Sequence, residues 1–128
     1  MQGAEKFVGK WRLDTARSEF QYGIVPRKGE LLIEPLAVGL RIRLEMEGAR
    51  GTPIVVDGVW GEGETPKRTL KVADERTIHQ TAIAASGTKT TTRRELSENG
   101  DTQTVIDEGA EPDGEPWRNT WVFARIWD

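Results

Sequence analysis

The sequence predicts an all-β fold, an up-and-down antiparallel β-barrel of nine to ten strands with little helix. Short apolar stretches recur along all 128 residues, separated by turns rich in Gly, Pro, Asn and Asp, a spacing expected of a barrel or a sandwich. No long stretch carries the periodicity of a helix. Apolar strands stand at both chain ends, and pairing the first with the last closes an antiparallel sheet and removes its unpaired edges.

The first strand is read over residues 7–13, with Gly9, Trp11 and Leu13 on its inner face. The missing side chain of Gly9 is expected to let the barrel narrow there. Residues 14–29 read as loop, with room for one helical turn over 14–18 and with Gly and Pro interrupting Tyr22-Gly23-Ile24-Val25-Pro26. A connection this long, carrying Phe20, Tyr22, Ile24 and Val25, is expected to form an apolar flap over the barrel mouth. Strands follow at 30–36 and at 40–47, where apolar and charged residues alternate without a fault and so turn Leu40, Ile42, Leu44 and Met46 inward. Residues 53–60 form a fourth strand, with a kink or bulge expected at Asp57-Gly58. Residues 61–66 are a turn, 68–72 a strand and Asp74-Glu75-Arg76 a tight connection. Strands at 77–85, 89–96 and 102–107 come next, the last two joined by the hairpin signal Asn99-Gly100. Asp113-Gly114 leads into the final strand, 115–127, whose expected inner face holds Trp117, Asn119, Trp121, Phe123 and Arg125.

Pairing of the end strands brings Trp11 to Arg125. Around that pair the chain carries Gly9-Lys10-Trp11-Arg12-Leu13-Asp14, Ser18-Glu19-Phe20, Ser97-Glu98-Asn99-Gly100-Asp101, Asp113-Gly114-Glu115-Pro116 and Trp121-Val122-Phe123-Ala124-Arg125. This set resembles the small bacterial lipocalin-like domains of the calycin group, whose function is largely unassigned. The resemblance covers nearly the whole chain through short motifs. It implies a single domain over residues 1–128, a lipocalin-like barrel with an internal cavity and a basic residue of the last strand lying over the first tryptophan. Gly9, Trp11 and Arg125 are accordingly assigned structural roles, with a cation–π contact worth about 0.5–2 kcal/mol. The alternative role of Arg125 is to pair with a ligand carboxylate.

Composition narrows the function. The chain is long enough to bury a core as one domain. Cysteine is absent, which excludes disulfides, thiolate nucleophiles and Cys-ligated metals. A net charge of -3, spread over intermixed acids and bases, offers no basic block to nucleic acid. No apolar run is long enough to span a bilayer, and no secretory h-region opens the chain. The expected compartment is cytoplasmic, or periplasmic or secreted if a signal peptide has been removed. Five tryptophans against one tyrosine and three phenylalanines suit either a compact core or a ligand pocket.

A barrel of this size is filled by side chains or holds one small ligand. Ile42, Leu44, Met46, Trp60, Trp121 and Phe123 are expected to form a mostly apolar ligand-binding wall, with Asn119 as its inward amide. Arg93 and Arg94 are adjacent on a strand, so one of them faces inward. An inward Arg94 requires an internal acid or an anionic ligand; the alternative is a surface arginine snorkelling near a strand end. His79, the single histidine, is read as a half-exposed strand residue or, if inward, as a ligand-bonding group or general base. Asp107, Glu108, Glu111 and Asp113 are read as a charged turn without the ligand pattern of a calcium loop. No metal site and no cofactor are expected.

The function expected from these features is binding of a small, largely apolar molecule in the lumen. One alternative is a cofactor-independent cyclase or isomerase, with Tyr22 and His79 as catalytic candidates and Arg94 and Asn119 as polarising groups. The other is a structural or partner-binding barrel with a filled core.

Overall fold

Strict alternation of side chains across the strands, with turns at their ends, gives one antiparallel sheet curled into a barrel wall. The computed structural model describes residues 3–23, 25–61, 63–64 and 68–127. Its strands are β1 (Gly9–Leu13), β2 (Glu19–Phe20), β3 (Lys28–Leu36), β4 (Gly39–Glu47), β5 (Pro53–Trp60), β6 (Gly63–Glu64), β7 (Arg68–Asp74), β8 (Thr77–Ile83), β9 (Lys89–Leu96), β10 (Thr102–Ala110) and β11 (Pro116–Ile126). Neighbours run β5-β4-β3-β1-β11-β10-β9-β8-β7-β6, and β2 pairs with β11. This is the expected up-and-down order, with the end strands side by side and Trp11 opposite Arg125. Among the described residues no ladder joins β5 to β6 or β7, so the wall has a seam. Arg68 of β7 crosses it and lies 5.1 Å from the ring centre of Trp60 on β5.

Several boundaries differ from expectation for identifiable reasons. The first strand starts at Gly9 because Glu5–Phe7 forms a 3-10 turn that buries Phe7. The helical turn in the following loop is Thr15–Arg17, capped by the Asp14 side chain, which accepts from Arg17 N. That loop also contains β2, too short to leave a pattern in the sequence. No bulge occurs at Asp57-Gly58, which stay in register opposite Arg43 and Ile42; the register shift lies at Val72/Asp74. Gly58 instead permits close approach, since a Cβ there would stand 2.6 Å from Arg68 Nη1. β8 stops at Ile83 because Gly87 N bonds Ala84 O at 2.8 Å and closes a turn.

One end of the barrel is filled. Trp11 and Phe7 are wholly buried there with Ala4, Ile33, Leu40, Leu70 and Ile78, and Trp11 Nε1 donates to Phe7 O at 3.1 Å. Each such large apolar side chain contributes roughly 1.5–3 kcal/mol by leaving water. The Arg125 guanidinium caps this plug, 4.0 Å from the Trp11 ring centre and 4.9 Å from that of Trp127. It donates to the carbonyl oxygens of Gly100 and Val8, both at 3.0 Å, and to that of Lys6. Gly9 serves this seat and not a narrowing of the wall. Its φ is +139° and a Cβ would meet Arg125 Nη1 at 3.0 Å, so a side chain there is both strained and in the way.

Candidate functional site

Register arranges the inward residues of β8 to β11 in rows. Leu96, Gln103 and Phe123 form one row, Ile78, Arg94, Val105 and Trp121 the next, and Gln80, Thr92, Asp107 and Asn119 the one after. Beyond the plug, across these rows, lies a cavity of about 260 Å³. Leu31, Ile42, Leu44, Met46, Val56 and Trp60 supply an apolar wall from β3 to β5. Facing it, Gln80, Thr92, Arg94 and Asp107 make a polar wall, with Val105, Trp121 and Phe123 beside them, while Asp57, Gly58 and Arg68 line the cavity at the seam.

Arg94 is the central group of the polar wall. It faces inward because it shares parity with Leu96 and Thr92, and it is buried; the surface reading of this arginine is therefore corrected. Arg94 Nε donates to Gln80 Oε1 at 2.6 Å and Nη1 donates to Gln103 Oε1 at 3.0 Å. Both acceptors are neutral amides, and among the described residues no carboxylate forms an ion pair with Arg94. Burial pulls its pKa down to about 10, opposed by the charge of Asp107, so the side chain is a cation at neutral pH. Gln103 is completely buried and its Nε2 has no partner, which shows its oxygen turned toward the guanidinium.

Asp107 corrects a second expectation. It is not the strand's last residue, opening a charged turn, but lies within β10, which runs on to Ala110, and it lines the cavity. Its Oδ1 accepts from Thr92 Oγ1 at 2.7 Å and its Oδ2 from Trp121 Nε1 at 2.9 Å.

Of the residues expected to bind ligand, Ile42, Leu44, Met46, Trp60, Arg94, Trp121 and Phe123 are brought together on the cavity. Asn119 is buried but otherwise engaged. Its Oδ1 accepts from the backbone N of Gln21 and Tyr22 at 2.7 and 3.0 Å, and its Nδ2 donates to Tyr22 O at 2.8 Å. The flap is thereby clamped to β11, with Phe20 edge-on to Trp121 at 4.8 Å and Tyr22 stacked on Trp117 at 4.9 Å. Val25 is exposed, and Ile24 lies outside the described residues. The two catalytic candidates are not brought together. His79 is exposed on the outer face of β8, between Lys71 and Arg93, and neither it nor Tyr22 lines the cavity.

Gln80, Thr92, Gln103 and Asp107 were missed as site residues, although the alternation that turns Ile78 and Val105 inward also selects them. Among the described residues no group of His, Cys, Asp or Glu is suited to a metal, and no helix is long and apolar enough to cross a membrane.

No protein-family model matches the sequence, and no curated protein does. Among solved structures the chain is similar to a protein described as a de novo design of a fluorescence-activating β-barrel. The TM-score is 0.55 at 16% identity, over 98% of this chain and 99% of that chain. A likeness at this identity is one of fold, and it places the chain among antiparallel β-barrels.

Proposed function

We propose that this protein is a lipocalin-like barrel that binds one small, largely apolar molecule in its lumen. The observation that carries the reading is the cavity of about 260 Å³, which is walled on one side by aliphatic side chains and Trp60 and on the other by a few polar groups. That combination is the general character of small-molecule sites. The Trp11–Arg125 contact supports the lipocalin-like assignment, and the fluorescence-activating description of a barrel of similar fold agrees with a lumen that takes a guest. Val56 points inward from β5 and is still half exposed, which makes the seam side the natural route of entry.

The neutral fluorophore N-phenyl-1-naphthylamine tests the reading. Saturable one-to-one enhancement is expected with the native protein, and its loss with Leu44→Trp, which fills the cavity from the apolar wall. A native protein that shows no saturable enhancement is a filled barrel, and the proposal then fails.

A further inference from the structure

We infer that the molecule held in this cavity is a compact carboxylic acid and that Arg94 is the residue that binds its carboxylate; this rests on the lumen-binding reading above. A buried cation needs both its hydrogen bonds and its charge met, and the protein meets only part of the first requirement. The side-chain oxygens of Gln80 and Gln103 hold Arg94 Nε and Nη1. They fix the guanidinium in place without neutralising it. Nη2 has no hydrogen-bond partner among the described residues, and Arg94 lines the cavity.

The surrounding groups narrow the chemistry further. Gln103 is committed to positioning Arg94 through its Oε1, and its Nε2 is buried without a partner. Asp107 accepts from Thr92 and Trp121 and makes no hydrogen bond to Arg94; its charge on the same wall reaches the guanidinium only at a distance and disfavours a dianion. A single carboxylate at Nη2 supplies the missing bond and a counter-charge in direct contact, in a charge-assisted hydrogen bond. The opposite wall, from Leu44 to Trp60, then receives the apolar body.

Calorimetric titration with 2-naphthoate and 2-naphthamide, which share a ring system and differ in charge, tests this. Native protein is expected to bind the acid at least tenfold more tightly. Arg94→Gln, with its fold checked by near-ultraviolet circular dichroism, is expected to bring the acid down to the affinity of the amide while leaving the amide unchanged. Equal binding of the two by native protein overturns the inference, whether or not the variant folds, and so does a preference that survives in Arg94→Gln. Failure of both naphthyl probes beside normal binding of N-phenyl-1-naphthylamine overturns the carboxylate inference alone. Failure of all three removes the lumen reading itself.

Discussion

Arg125 is a cation seated on three backbone carbonyls and two indole faces, an arrangement only a planar guanidinium satisfies. Arg125→Ala removes the charged hydrogen bonds and the stacking together, and a loss of about 2–4 kcal/mol is expected. Urea unfolding followed by tryptophan fluorescence measures it. Arg125→Lys should recover little, since one ammonium reaches fewer of these carbonyls. The Trp11–Arg125 pair was legible in the sequence because pairing of the chain ends brings the two near each other and the lipocalin-like resemblance implies a basic residue over the first tryptophan. Which of Arg93 and Arg94 turns inward was not, since adjacent identical side chains carry no parity signal of their own. Asp107 was hidden differently: it fell at the expected end of its strand, and the acids around it made it read as the start of a charged turn.

At the level of single elements, the flap is held by a side chain and not by its own pattern. β2 has two residues, and Asn119 supplies three of the bonds that fix the chain just beyond it. Asn119→Ala is expected to cost about 1–3 kcal/mol and to speed hydrogen exchange at the Gln21 and Tyr22 amides, leaving β1 protected. Such an element is set by tertiary pairing, which explains its absence from a reading of periodicity. By contrast β4 was legible in full, because one face is apolar and the other charged. Its outer face meets the edge strand β5 through Arg41, whose Nη2 donates to Asp57 Oδ2 at 2.7 Å. That hydrogen bond, helped by the charges of Arg41 and Arg43, holds the Asp57 carboxyl below its ordinary range. A carboxyl lowered on folding stabilises fully above its unfolded value of about 3.9, and the contribution disappears as pH falls through the lower folded value. Carboxyl carbon NMR should therefore find Asp57 titrating below a free aspartate, and Arg41→Ala should move its midpoint upward.

Across the whole molecule, the barrel is packed at one end and hollow beyond it. The sequence announced the wall residues but not this division, because inward parity is the same for a side chain that meets another and for one that meets space. The polar side of the hollow part also works against stability. Replacing the Arg94, Gln80 and Gln103 cluster together, as Arg94→Met, Gln80→Met and Gln103→Leu, removes a desolvated charge and an unpartnered amide, and a gain of roughly 1–4 kcal/mol is expected. Thermal and urea denaturation would register it, and a decrease would mean that the cluster contributes to folding. The plug around Trp11 and Phe7 joins the cavity lining through Leu31, Ile42, Val105 and Phe123, which belong to the same buried core, whereas Met46 and Val56 line the cavity outside it. Under the proposed lumen binding, substitutions at Met46 or Val56 retune which guest is admitted while the keystone of the architecture is left alone, so descendants of this chain are free to diverge in cargo long before they diverge in shape.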